Sequence, residues 1–212
     1  MRLLGIFMIA CLAHSAALPA ATAGAAQHAF EVREYQRTSG AITVAAASPV
    51  VDPYFASKAL LVAHASGLDV REAALRWIDW LLGKQLPDGR FQRFTLHDAR
   101  DVERLGEIAG YAPPDADDAL LAVWIELLSK IATLPEAPPI SVLPPAWTRS
   151  LELATQALDR LMDAESGVYH ISAQQPVALL MDNVEVFSAW RHAAAFYAGA
   201  GEGGRAFAAQ RR

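Results

Sequence analysis

Residues 113–128 read Pro-Pro-Asp-Ala-Asp-Asp-Ala-Leu-Leu-Ala-Val-Trp-Ile-Glu-Leu-Leu, which sets three carboxylates at the mouth of a strongly apolar helix. Pro113 and Pro114 end whatever precedes them. Asp115 has the side chain of an N-cap, and Asp117 and Asp118 fall in the first turn, where the helix dipole favours negative charge. Behind them Leu120, Leu121, Val123, Trp124, Ile125, Leu127 and Leu128 leave hardly any polar face, the pattern of an inner helix enclosed by others. Two readings of the acids stand side by side. Either they cap the helix, or they are carried inward with it and line a pocket.

The neighbouring stretches alternate between this inner type and a one-faced type. Asp52-Pro53 starts a helix over 53–64 with Tyr54, Phe55, Ala59, Leu60 and Val62 apolar, and Ser66-Gly67 stops it. A helix over 70–82 has Ala73, Ala74, Trp77, Ile78, Trp80 and Leu81 on one side and Arg71, Glu72, Arg76 and Asp79 on the other, so it is amphipathic. The Pro-Asp-Gly turn at 87–89 leads into an extended piece containing Phe91 and Phe94. Residues 96–111 read as a charged connection with a short helix over 101–108. Five prolines between 134 and 145 exclude a helix and read as a surface crossing. An amphipathic helix over 147–162 and an inner-type helix over 182–197 follow.

Asp52, Asp117 and Asp182 stand at equal intervals of 65 residues, each at the head of an inner-type helix. Equal spacing predicts one unit used three times, made of an inner helix, an outer amphipathic helix and a turn such as 88–91 or 166–169. A lone hairpin of this kind cannot hide its inner helix. The units therefore pack side by side, with the inner helices 119–128 and 184–194 adjacent and more buried than 73–82. The predicted class is all-α, a helical-hairpin array of about three hairpins.

Length and composition narrow the function. Residues 1–26 carry Arg2, an apolar run over 3–12 and a small-residue end, Ala-Thr-Ala-Gly-Ala-Ala, which is the order of a secretory signal and predicts a secreted or periplasmic protein. The apolar run is too short for a stable membrane span. The single cysteine, Cys11, lies inside this segment, so the mature chain has no disulfide and no thiol chemistry. Residues 27–50 read as an irregular N-terminal arm, and 51–212 as one domain. With 18 basic against 23 acidic residues and no basic block before Arg211-Arg212, nucleic acid is not the expected partner. No Gly-x-Ser-x-Gly elbow or phosphate-cradling glycine loop is present. His64, His97, His170 and His192 lack metal-binding spacing, so neither metal nor cofactor is expected.

The segments Asp52-Pro-Tyr-Phe-Ala-Ser-Lys-Ala-Leu-Leu, Gln85-Leu-Pro-Asp-Gly-Arg-Phe, Asp115-Ala-Asp-Asp-Ala-Leu-Leu-Ala and Met181-Asp-Asn-Val-Glu resemble the inner-helix and turn motifs of six-hairpin glycosidase-like (α/α) toroid proteins. The resemblance covers about three quarters of the chain. It implies a central cleft that binds poly- or oligosaccharide, with carboxylates at inner-helix ends as acid and base. Six hairpins are implied and three are present, so the chain is expected as an incomplete toroid, about half of one. Its open flank would be met by self-association.

Under that resemblance the reaction is glycoside hydrolysis by a carboxylate pair. Asp118 and Glu185 are the first choice, and Asp117 and Asp182 are the alternates, which also read as plain caps. Asp52, Tyr54, Asp88, Phe91, Tyr169 and His170 are the candidate substrate-binding residues, with Tyr54 and Tyr169 as stacking platforms. Trp124 and Trp190 read as core or platform. His170 beside Tyr169 would also suit a polysaccharide lyase. A noncatalytic scaffold that binds a glycan or protein through the same mouth, or a remnant of a larger toroid enzyme, is the competing class.

The leader reading has a direct check. Mass spectrometry of the exported protein is expected to show a chain that starts after Ala23 or Ala26, and an intact Met1 on exported protein would overturn it.

Overall fold

An aspartate in extended backbone followed by proline at the first helical position starts α1, Pro53–Ala65, where the Asp52 carboxylate accepts the Tyr54 amide at 3.0 Å. The computed structural model describes residue 32 and residues 34–97, 107–134 and 144–212. In chain order the further elements are β1 (Val50–Val51, before α1), α2 (Arg71–Leu82), β2 (Arg93–Leu96), β3 (Ile108–Ala112), α3 (Asp117–Ala132), α4 (Pro145–Asp159), α5 (Leu180–Gly199) and α6 (Gly203–Gln210). α3 packs against both α1 and α5, while α4 lies against α3 and α6 against α5.

The inner–outer pairing is written in hydrogen bonds as well as in apolar faces. Trp77 Nε1 on α2 donates to Ser57 Oγ on α1 at 3.1 Å, and Trp124 Nε1 on α3 donates to Ser150 Oγ on α4 at 3.0 Å. Each buried indole N–H thereby finds its acceptor on the partner helix, which fixes the rotation of one helix against the other. Across α3 and α5, Ser188 Oγ donates to the Glu126 carboxylate at 2.8 Å, and within α3 Lys130 pairs with the same carboxylate at 2.6 Å.

The all-α class is corrected by a three-stranded antiparallel sheet of order β1-β2-β3, which makes the protein a mixed α/β structure. Val51 pairs with Phe94 and Phe94 with Tyr111, with a register shift between Thr95 and Leu96. Phe94 and Leu96 are buried while Thr95 is exposed, the alternation of a sheet with one face on the core. The expected helix over 101–108 falls mostly outside the described residues, and Ile108 belongs to β3 instead. Residues 1–31 also lie outside them, as do 135–143 of the proline-rich link, whose last residue, Pro145, is the first of α4.

Part of the burial expectation is also corrected. α3 is enclosed along nearly its whole length, but α5 is not more buried than α2, because Leu180, Val184 and Phe187 face outward with no cover among the described residues. The arm before β1 is less loose than its sequence suggests. Ala41 and Ile42 enter the core, and Gln36 Nε2 donates to Ala73 O on α2 at 2.9 Å.

Gly89 fixes the turn after α2. Its φ is +91°, and a Cβ there would stand 2.1 Å from Leu153 O on α4, so both the conformation and the close approach exclude other residues. Gly89→Ala is expected to destabilise the fold by on the order of 2 kcal/mol or more, read as a lowered midpoint in urea. An unchanged midpoint would show that the turn can leave α4 without loss.

Candidate active site

The first turns of α1, α3 and α5 bring a set of carboxyls together. Glu185 on α5 accepts the Tyr54 hydroxyl at 2.8 Å and the Lys58 ammonium at 2.7 Å, both through Oε1, so side chains from α1 reach over to α5. Asp182, one turn before Glu185, is buried and feels its charge, and Asp118 on α3 feels the charge of Asp182. Asp118 is wholly buried, at 0% exposure. One oxygen of each of these three carboxyls, Asp118 Oδ2, Asp182 Oδ2 and Glu185 Oε2, is buried and accepts no hydrogen bond from the described residues.

Their protonation follows from the surroundings. Burial pushes Asp118 up to about 7, against backbone hydrogen bonds from Ala119, at 2.8 Å, and from its own amide, and the charges of Asp182 and Asp117 add to the shift. Asp182 is raised by burial and then by the negative charge of Glu185. The Tyr54 hydroxyl is pushed well above the usual phenol range by burial and by its bond to Glu185, so it stays a donor. The site thus holds a carboxylic acid near neutrality at Asp118 and, with Asp182 coupled to both, a carboxyl paired with Lys58 at Glu185, the kind of division that acid–base chemistry needs.

The other predicted residues divide between site and scaffold. Asp117 is buried against Arg90, whose Nη1 lies 3.4 Å from Oδ2; burial raises its pKa and Arg90 counters this. Of the predicted site acids, Asp52 holds the N-cap position of its helix and caps it with its side chain. Asp115 does not cap α3; it is exposed and pairs with Arg93 at 3.1 Å, while Ala116 holds the cap position with no side-chain bond. Burial would raise Asp88, but hydrogen bonds from Arg90 outweigh it and hold the acid below its usual range, and the pair shapes the turn.

Two expected platforms are core residues instead. Phe91 is buried edge-on against Trp124 with ring centres 5.2 Å apart, and the Tyr169 hydroxyl accepts Trp190 Nε1 at 2.9 Å from a buried position. Neither presents a ring face for sugar stacking. His170 is half-buried, and its backbone N–H donates to Leu161 O at 3.0 Å, which joins the turn to the end of α4.

Lys58 and Asn183 are the residues that the sequence reading passed over. Lys58 lies one turn beyond Tyr54 on the same face of α1, and that spacing was the available signal. Asn183 clamps the backbone of Tyr169 on both sides, Oδ1 accepting its N–H at 2.8 Å and Nδ2 donating to its carbonyl at 2.9 Å. Among the described residues no group of three or more His, Cys, Asp or Glu is placed to hold a metal ion. No helix among them is long and apolar enough to cross a membrane. A cleft of about 990 Å³ runs between the arm, β1, β2 and α1, and of the predicted site residues only Asp52 lines it.

No protein-family model matches the chain, and none of the curated proteins compared with it is recognisably similar.

The raised Asp118 sets a pH dependence of stability. In the unfolded chain its proton leaves near 3.8 and in the folded chain near about 7, so between these values the folded state holds a proton that the unfolded state has released. Stability falls as pH rises through that window, by on the order of 4 kcal/mol in all. Asp118→Asn is expected to raise the thermal midpoint by several degrees at about pH 8 and to change it little at about pH 4. Equal shifts at the two pH values would show that Asp118 titrates normally.

Proposed function

We propose that the protein is a secreted or periplasmic carbohydrate-active protein of glycoside-hydrolase type, with Asp118 as general acid and Glu185 as the carboxylate that activates water or attacks the anomeric carbon. The observation that carries this reading is the contrast between two acids that both feel the intervening Asp182 or are felt by it: Asp118 is buried and keeps its proton up to about pH 7, while Glu185 is bonded to the Lys58 ammonium at 2.7 Å. In glycosidic cleavage the first supplies a proton to the departing oxygen and the second supplies an electron pair on the far side of the sugar carbon. Tyr54 and Lys58 aim Glu185, and Asp182 keeps the local field negative, which supports proton retention on Asp118 and stabilises an oxocarbenium-like centre. The resemblance of the 52–61, 85–91, 115–122 and 181–185 segments to six-hairpin glycosidase-like proteins supports the same chemistry.

One observation favours a noncatalytic glycan- or protein-binding scaffold. Asp118 has no exposed surface and Tyr54 and Lys58 cover Glu185, so substrate access requires these α1 side chains to swing aside. Reducing-end release from neutral, acidic and amino polysaccharides separates the two. The enzyme reading expects cleavage of one class, lost by about a hundredfold or more in Asp118→Asn and in Glu185→Gln with helicity retained, and a rate that falls above about pH 7 as Asp118 loses its proton. Saturable glycan binding without product, unchanged in both variants, would establish the scaffold.

A further inference from the structure

Three consecutive residues tie three helices together. The Tyr169 backbone is held on both sides by the Asn183 side chain of α5, Oδ1 accepting its N–H at 2.8 Å and Nδ2 donating to its carbonyl at 2.9 Å. The His170 N–H donates to Leu161 O, just past α4, at 3.0 Å, and Ile171 O accepts the Asp117 amide at the start of α3 at 2.6 Å. Residues 169–171 thus form a short brace between the heads of α5 and α3, fixed in its middle to the end of α4.

The brace stands where helix caps are missing. Ala116 and Leu179 occupy the N-cap positions of α3 and α5 and make no side-chain cap bond. A first-turn amide has no partner inside its own helix and takes one from outside, which at Asp117 is Ile171 O. Asn183 is fully committed to the arrangement, since Nδ2 also donates to Leu179 O at 3.0 Å. A side-chain amide offers one acceptor oxygen and two donor hydrogens, and here all are spent on backbone. Asn183 follows Asp182 directly, and the residue it reaches through the brace, Asp117, directly precedes Asp118.

Resting on the reading of Asp118 and Glu185 as the acid pair, we propose that Asn183 is a positioning residue for that pair. Through 169–171 it holds the first turn of α3 in place relative to that of α5 and so keeps the Asp118 carboxyl out of water. It acts through the backbone and supplies no group to the reaction. Loss of the brace frees the Asp117 amide, loosens the first turn and admits water to Asp118. Burial is the leading cause of the raised Asp118 pKa, ahead of the charges of Asp182 on α5 and of Asp117 alongside it, so hydration lowers it.

Two NMR measurements on the purified protein test the role, exchange of the Asp117 amide and pH titration of the Asp118 carboxyl carbon. In the parent the Asp117 amide is expected to exchange at least about tenfold more slowly than an unbonded amide. In Asn183→Ala that protection is lost and the Asp118 midpoint falls from about 7 by about one pH unit or more. Gln36→Ala, which removes buried bonds to Gly40 O and Ala73 O in the arm and α2, controls for general loosening and is expected to change neither. Should Asn183→Ala not fold, Asn183→Asp, which keeps the acceptor for Tyr169 and loses both donors, is read in the same way. An unprotected Asp117 amide in the parent overturns the role, as does an Asp118 midpoint unmoved in the Asn183 variant or moved equally in Gln36→Ala. Neither measurement needs activity. A shifted Asp118 in a protein that cleaves no glycan keeps the positioning role and removes only the hydrolase reading, whereas an unmoved Asp118 in an active protein does the reverse.

Discussion

The enclosure of α3 is the constraint on which the other features rest. A helix whose residues 119–125 are all buried can exist only between neighbours, and α1, α4 and α5 are those neighbours. Enclosure also has an electrostatic consequence. Asp117 and Asp118 belong to the first turn of that helix, and packing it takes both carboxyls out of water, where the charged form is disfavoured. Burial is the leading cause of the raised pKa at both positions, ahead of any individual charge. The acid at the site is therefore a product of core packing before it is a product of pairing.

The two acids of that turn meet different fates because different elements reach them. Arg90, held by the turn that Gly89 permits, extends to Asp117 and compensates part of its burial. Among the described residues no cation pairs with Asp118, whose Oδ2 has no donor and which feels the charge of Asp182. A buried carboxyl oxygen without a donor opposes folding, and one at each of Asp118, Asp182 and Glu185 is not what capping produces. Asp52 shows what capping looks like here, a side chain in an extended residue bonded to the amide two residues on.

Much of this was legible in the sequence, and the gaps have physical causes. Helices α1 and α2 begin and end within a residue or two of the positions read from Asp52-Pro53, Ser66-Gly67 and the amphipathic period, because caps and apolar periodicity are local signals. β3 was not legible. Ile108-Ala-Gly-Tyr-Ala has little strand preference of its own and becomes a strand because β2 offers it hydrogen bonds, a nonlocal cause. The aromatic residues misled for a related reason. Phe91 and Tyr169 sit at turns, where exposure is the default, yet these turns fold back onto α4 and α5 and carry their rings inward.

Lys58 marks where helical spacing becomes chemistry. Its stem lies along α1, and its ammonium could have remained in water at little cost, since an exposed ion pair contributes little to stability. It reaches instead to a carboxylate already bonded to Tyr54 and itself mostly shielded. Two donors on one oxygen orient Glu185 and leave its other oxygen free of donors, directed by the same two contacts. An acid retained purely for packing would gain by engaging both oxygens. Glu126 shows that this protein can do so, with Ser188 of α5 bonded to one oxygen and Lys130, one turn on along α3, paired with the other. The contrast between Glu126, matched on both sides, and Glu185, matched on one, is the strongest physical ground for the proposal that puts acid–base chemistry at the heads of α1, α3 and α5 and not along their length.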